Sequence, residues 1–431
     1  MRRRALHYLG FLILIFFGLS GCSGQPFSDQ VSTDVYLQRA YEYRRLNRPA
    51  QALYQVQTLA AWHGWTDELR LLAGELQRQL ADLDGAIASW AGMKTPSSAV
   101  LRTLAQAQIE RGRWPEAAVS LERLLAVDGD DAWAQYHLGA LTALTQPATA
   151  VALLERSAQD PFYGERAQAL LELMRSDTDP ATLALRAGAL FASASAWSWA
   201  ELAFQRASDL DPTFAEAWAS VGWARAMQGK AASTHILRAV TLDPTNPRVR
   251  YLQGIYWRIQ DDTMAAIDAF AQAAALDPQN PTYYAALGQA YRDLYDLAQA
   301  ERWLQMAVVV SGDDPRYREL LALFYADEGA NLTDSGLAVL EAMVTGLPED
   351  ADVKAGFGWA LIAAGENERG EALIDEALAL DPNNMRALYY KARLLLAREA
   401  RADAIRLFRQ IAAGESEFSV LASAALRGLE D

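Results

Sequence analysis

The chain has 431 residues, 39 basic and 54 acidic, for a net charge of −15, and 52% of them are hydrophobic. That acidic balance disfavours nucleic acid and anionic lipid surfaces as partners. The only cysteine, Cys22, excludes an internal disulfide, so stability must come from buried apolar surface, which the composition supplies amply.

The N-terminus reads Arg2-Arg3-Arg4, then an apolar run from Leu9 to Leu19, then Leu19-Ser20-Gly21-Cys22. A charged start, a short apolar stretch and a small-residue cleavage site predict a signal peptide over 1–21. The run is too short for a spanning helix, which needs about twenty residues. The sequence around the cut resembles a bacterial lipobox. The resemblance implies that Cys22 receives a diacylglycerol, becomes the mature N-terminus and, with further acylation such as palmitate, anchors the protein stably to a membrane. Ser23, in place of an aspartate, implies the outer membrane, facing the periplasm, in a two-membrane bacterium. In a one-membrane bacterium the address is the outer face of the cell membrane. Met1–Gly21 carries three arginines and no acid, so the mature chain holds 36 basic against 54 acidic residues, a net −18. Residues 22–32 read as a polar tether. Ten residues reach at most about 35 Å, which keeps the body close to the bilayer.

From residue 33 the chain repeats. Loose copies occupy 33–66 (Ala40, Tyr43, Ala52, Val56), 67–97 (Gly74, Ala86, Trp90) and 98–131 (Leu101, Leu104, Ala105, Gly112, Ala117, Leu121, Gly129). A short copy at 132–161 carries Leu138-Gly139. Residues 162–180 read as one unpaired helix ending at Asp179-Pro180, and well-formed copies follow. Leu-Asp-Pro recurs at Leu210-Asp211-Pro212, Leu242-Asp243-Pro244, Leu276-Asp277-Pro278 and Leu380-Asp381-Pro382. The prolines are 32, 34 and 104 residues apart, and the last interval resolves into 34, 36 and 34 through Gly312 and Pro348. A period near 34 with a helix-terminating proline predicts a solenoid of helical hairpins.

Numbering each copy from 1 exposes the unit. In 247–280, Gly254 is at position 8, Trp257 at 11, Ala266 at 20, Phe270 at 24, Ala273 at 27 and Pro278 at 32. The copy 181–214 has Gly188, Phe191, Ala200, Phe204, Ala207 and Pro212 there. Small residues at 8 and 20 let the two helices of a hairpin approach, and large apolar residues at 4, 7, 11 and 24 are expected to fill the gap. Position 15, Gly229 or Gly365, permits the left-handed turn ending the first helix. Asp-Pro ends the second, because proline cannot continue a helix and holds the residue before it extended.

This combination of spacing and residue size resembles the tetratricopeptide repeat (TPR) family. The resemblance implies an all-α, right-handed α-solenoid of about eleven helix-turn-helix hairpins. An N-terminal block would cover 33–161, an irregular joint 162–180 and a C-terminal block 181–418. A capping helix over 419–431 would set Ser419, Ser423, Arg427 and Glu430 on its wet side. Repeat 215–246 lacks two residues between Gly229 and Ala239, and 315–350 has two extra around Asn331–Ser335.

Patterns that carry chemistry are sparse. The mature chain has His63, His137 and His235, no two at metal-ligand spacing, and no phosphate loop or nucleophile elbow. No catalytic residue, metal or cofactor is expected, and the chain reads as non-enzymatic. The family resemblance implies instead that positions 2, 5, 9, 12 and 13 of the first helices line a concave groove. Trp223, Met227, Tyr251, Ile255, Arg258, Ile259, Arg292 and Trp359 fall there, an aromatic and apolar stripe edged by arginine of the kind that dominates binding hot spots. A register shift of one residue would bury the stripe, and Asp261 and Asp293 lie within reach of the arginines. Lysine and asparagine are absent from positions 5 and 9, so a clamp for a chaperone tail is not supported.

The expected function is a lipid-anchored scaffold that binds envelope proteins or peptides in the groove, with the membrane held through Cys22 and no nucleic acid. It resembles the envelope TPR lipoproteins that assist pilus assembly, secretion, outer-membrane protein insertion or wall remodelling. Two alternatives remain. One is a carrier for an exported polysaccharide, which the arginine edging disfavours. The other is an envelope enzyme with an unrecognised carboxylate site, which would need a deep pocket.

Overall fold

A computed structural model describes residues 29–176, 179–312, 314–329, 336–414 and 416–430. The signal peptide, Cys22, most of the tether and the insertion around Asn331–Ser335 lie outside the described residues. Within them the chain forms 24 helices and no strand. These are α1 (Asp29–Arg45), α2 (Pro49–His63), α3 (Asp67–Gln79), α4 (Leu83–Ala91), α5 (Ser98–Glu110), α6 (Trp114–Val127), α7 (Ala132–Ala143), α8 (Pro147–Ser157) and α9 (Gly164–Ser176). Then follow α10 (Pro180–Ser193), α11 (Trp197–Leu210), α12 (Ala215–Ala226), α13 (Ser233–Leu242), α14 (Pro247–Ile259), α15 (Thr263–Leu276), α16 (Pro281–Asp293) and α17 (Leu297–Val310). The last are α18 (Pro315–Glu328), α19 (Leu337–Gly346), α20 (Ala351–Ala363), α21 (Asn367–Leu380), α22 (Met385–Ala397), α23 (Arg401–Ala412) and α24 (Glu417–Glu430). From α1 to α6 and from α10 to α24, helices pair as hairpins stacked one on the next, which is the all-α solenoid class. Contacts divide the chain into two compact units, one of residues up to Leu141 with Ala152–Gly164, the other of Thr142–Val151 with Glu165–Asp431.

The hairpin interface is built around position 8. A Cβ placed on Gly188 would lie 2.4 Å from the Phe204 ring, and one on Gly254 would lie 2.4 Å from the Phe270 ring. The same clash arises at Gly222 with Ile236 (2.7 Å), at Gly288 with Leu304 (2.7 Å) and, in the first unit, at Gly74 with Trp90 (2.3 Å). In every case the side chain at position 24, or at 22 in the short copy 215–246, occupies the space that the missing Cβ leaves. Phe204, Phe270, Leu304, Ile236 and Trp90 are accordingly almost wholly buried, and no other residue type fits opposite them at this separation.

Position 15 is left-handed in ten of the eleven copies, the short copy 132–161 being the exception. Gly112, Gly229, Gly329 and Gly365 have positive φ, and so do the non-glycines Asn47, Ala81, Ser195, Asp261, Tyr295 and Glu399, at φ between 53° and 61°. The turn carries a strong hydrogen bond, from the amide at position 16 to the carbonyl at position 11. Examples are Asp262 to Trp257 (3.0 Å), Ala196 to Phe191 (2.9 Å) and Glu366 to Leu361 (2.8 Å). This is the six-residue C-cap that satisfies the first helix's orphan carbonyls. The Asp-Pro turns behave as expected: Asp211, Asp243, Asp277 and Asp381 are extended, with φ from −132° to −143°.

Position 4 departs from the expectation of a large apolar filler. In four repeats the side chain there donates a hydrogen bond to the chain break before it. Gln135 Nε2, Trp218 Nε1, Arg250 Nε and Tyr284 Oη donate at 2.8, 3.0, 3.0 and 3.2 Å to the carbonyls of Gly129, Pro212, Pro244 and Pro278. Each acceptor is position 32 of the preceding repeat, or 30 in the short copy 215–246, at the break between helices, where a carbonyl has no helical partner. The side chain seals that break, so its polar end matters more than its bulk.

The irregular segments resolve simply. The two missing residues of 215–246 shorten the second helix, which has 10 residues in α13 against 14 in α11, α15 and α17. Nothing in Asp29–Ser32 breaks a helix, and α1 begins at Asp29 inside the expected tether. Asp179-Pro180 opens α10 instead of closing the helix before it. Pro180 is the first helical residue, and Asp179 accepts from the Thr182 amide at 2.8 Å and its hydroxyl at 2.6 Å. The wet side of the capping helix is rotated from the expected one. Ser419 is buried, locked to Ser416 by reciprocal amide-to-hydroxyl bonds of 3.2 and 3.3 Å that cap α24. Phe418, Ala422 and Leu426 face the core, so Val420, Leu421 and Arg427 face outward and Ser423 is half-buried. The Glu430 side chain lies outside the described residues.

Two substitutions test this frame. Gly254→Leu drives a side chain into Phe270 and should cost about 1–3 kcal/mol, whereas Gln279→Leu at an exposed position should leave the urea midpoint unchanged; equal midpoints would refute the register. Tyr295→Gly relieves a left-handed residue that is 82% exposed. It should raise stability by up to about 1 kcal/mol, the left-handed penalty less glycine's added chain entropy, and Tyr295→Val should lower it.

Candidate functional site: the face of the first helices

In the second unit, α12, α14, α16, α18, α20 and α22 lie side by side. Their exposed edges form one face, on which the residues singled out from the sequence sit in unequal environments. Trp223 is half-buried, its ring 5.2 Å from Trp197 and 6.4 Å from Phe204. Met227, one turn on, is 42% exposed. Tyr251 is half-buried as well. It packs against Phe270 at 5.8 Å and Tyr283 at 5.5 Å, and burial pushes its phenol above the ordinary range. Ile255 packs half-buried on the cluster around Phe270, and Ile259 on the cluster of Ala226, Ala232, Ile236 and Tyr256. Trp359 stacks flat on Tyr390, with centroids 5.0 Å apart and planes 4° from parallel, and the Arg393 guanidinium sits 4.4 Å from its ring.

The arginines are engaged between repeats. Arg258 grips Asp293 of the next first helix through Nε (2.6 Å) and an Nη (3.2 Å), and donates to Gln289 at 3.2 Å. Arg292 repeats the pattern one unit on, meeting Glu328 at 2.5 Å and Asp327 at 3.4 Å. Position 12 of one repeat therefore binds positions 13 and 14 of the next. The pair Asp261 and Arg258 considered from sequence is not the one formed.

This ladder ends in a buried node that sequence reasoning missed. Arg386 and the Tyr390 hydroxyl, both on α22, reach back across α20 to one carboxylate oxygen of Asp327 on α18. The Asp327 and Arg386 side chains are only 9% and 7% exposed. Arg386 also lies 3.4 Å from Asp352 and 3.9 Å from Glu417, with its guanidinium 4.9 Å from the Phe418 ring. Burial raises the Asp327 carboxyl above its ordinary value, and the guanidiniums of Arg386 and Arg292 oppose that rise. Burial also raises the Tyr390 phenol. The node fixes α18 against α22 and fills the face between them. Its only sequence trace is the 35-residue step from Arg258 to Asp293, repeated from Arg292 to Asp327.

Two tetratricopeptide repeat family models match the sequence, over residues 258–324 and 356–418. The chain is a tetratricopeptide repeat protein. No curated protein matches it in sequence. Among solved structures, this tetratricopeptide repeat protein is similar to yeast Tom70, with 15% identity over 94% of this chain and 96% of that one, at a TM-score of 0.43. It is also similar to a tetratricopeptide repeat protein of Parabacteroides merdae, with 16% identity over 61% of this chain and all of that one, at 0.48. A third is pilF of Pseudomonas aeruginosa, with 15% identity over 49% and 97% of the two chains, at 0.40. Among the described residues of the repeat protein, no group of histidine, cysteine, aspartate and glutamate is placed to hold a metal ion, and no helix is long and apolar enough to cross a membrane.

The buried node gives a clear test. Arg386→Leu strands the Asp327 charge and should destabilise the second unit by about 3–5 kcal/mol in denaturant unfolding. Adding Asp327→Leu should recover most of that loss. Independent, additive effects of the two changes would show that the pair is not coupled.

Proposed function

We propose that the protein is a lipid-anchored scaffold of a bacterial envelope, held to its membrane through Cys22, which binds an extended or helical peptide segment of a partner along the first-helix face. Tetratricopeptide arrays act as protein-interaction scaffolds, and that coarser role follows from the repeats themselves. The observation that carries the finer reading is the Trp223–Met227 step, a half-buried indole beside an exposed thioether on one helix face. An aromatic anchor braced from behind by Trp197 and Phe204 loses little freedom on binding, and an adjacent flexible methionine adapts to varied apolar partners. Ile255 and Ile259 continue the strip, and the Arg258 and Arg292 pairs give it a polar rim. Tyr251 and Trp359 support the strip from within; Trp359 has Tyr390 stacked flat against it, which disfavours a sugar platform there. The Leu19-Ser20-Gly21-Cys22 site supports the address, and assembly of pili, secretion or wall machinery is the class of task that such a scaffold would serve.

The test separates address from binding. Cys22→Ala should leave an unprocessed precursor or release the protein from the membrane fraction, and a lack of fatty-acid incorporation into the native chain would refute the anchor. Met227→Glu changes an exposed side chain, so the melting curve should not move, while recovery of partners from detergent-solubilised membranes should fall sharply. Trp223→Ala should weaken binding by about 2 kcal/mol, roughly thirtyfold. Undiminished recovery by both folded variants would move the binding surface off this face.

A further inference from the structure

The first hairpin exposes aromatic surface at one end. Trp62 is 58% exposed and Trp65 is 42% exposed. They flank the turn at Gly64, whose φ is +83°, in a stretch from Ala61 to Thr66 in which every residue is exposed. Helices α1 and α2 form a hairpin, so the end of α2 lies beside the beginning of α1. The Trp62 ring meets the Tyr36 ring edge-on at 5.0 Å, which places the tryptophans at the end where the chain enters the fold. Tyr36 is seven residues from Asp29, about 10 Å of helix. Asp29 is seven residues from Cys22, about 25 Å of fully extended chain. The edge therefore lies within about 35 Å of the anchoring position.

The chemistry of this edge also suits a bilayer interface. The Trp65 ring has the Arg70 guanidinium 5.5 Å from its centroid. The nearby acids are occupied: the Asp67 carboxylate accepts from the Lys94 and Thr95 amides, each at 2.8 Å, and Glu68 accepts from the Tyr41 hydroxyl at 3.1 Å. Indoles with an apolar body and one N–H donor concentrate in the headgroup layer of membranes. That preference does not depend on lipid charge, as it must not in a mature chain of net charge −18.

We propose that Trp62 and Trp65 seat the first hairpin in the zwitterionic headgroup layer of the membrane that carries the Cys22 anchor, so that the array meets the bilayer by a fixed edge. This rests on the lipid-anchor reading. The seat orients the body: the anchor supplies the affinity, and two indoles give the surface its direction.

The lipidated mature protein, reconstituted with phosphatidylcholine vesicles containing brominated phosphatidylcholine, tests the seat. Flotation reads the anchor, and bromine quenching of tryptophan emission in the floated protein reads the seat. The native chain should float and show quenching, and the double variant Trp62→Gln/Trp65→Gln should float equally and lose that quenching, two of the chain's 12 tryptophans being removed. Trp65→Gln alone, which leaves the Trp62–Tyr36 contact in place, should lose part of it with an unchanged melting curve. Equal quenching in native and double-variant protein overturns the seat and leaves the anchor standing. Failure of the native protein to float overturns the anchor and the seat with it.

Discussion

The close approach of the two helices at position 8 is the constraint from which the rest follows. Where a glycine faces the position-24 side chain, a phenylalanine ring occupies the space of a Cβ, as at Gly188 with Phe204 and Gly254 with Phe270. That one contact sets the separation within a hairpin, and the separation decides which side chains of the first helix lie in the core and which remain at its edge. The half-buried settings of Trp223 and Tyr251 are both products of it.

The face of the first helices is held as firmly as the core. Arginines at position 12 bind acids in the following repeat, and Asp327 gathers Arg386 and Tyr390 from two repeats away. A buried ion pair adds little net stability over an apolar equivalent, but it tolerates few alternative arrangements. These contacts tie first helices of the C-terminal repeats to one another across two repeats.

What was legible in the sequence was what is local and steric. Gly254 and Phe270 announce their contact by size and a fixed spacing, and Asp211-Pro212 announces a helix end by backbone restriction. The left-handed turn was visible only at glycines such as Gly229 and Gly365. Asn47, Ala81, Ser195, Asp261, Tyr295 and Glu399 adopt the same conformation because the position-16 amide must reach the position-11 carbonyl, and their identities carry no sign of it. The Asp327–Arg386 pair is separated by 59 residues and depends on stacking that no local pattern encodes. Helical spacing alone places Ser419 with Ser423 on a solvated face, whereas Ser419 pairs with Ser416, just outside the helix, to cap it.

The donors at position 4 have a consequence for how such a chain can change. An indole, a guanidinium, a phenol and a carboxamide all reach the same carbonyl six residues back. The joint between repeats thus specifies a reach and a proton, not a residue. Whole units can be exchanged, added or lost across such a joint without redesigning their neighbours, while four chemically unlike side chains give each joint its own outer surface. At these four joints one tolerant hydrogen bond leaves the side chain free to diversify while the helices on either side stay in step.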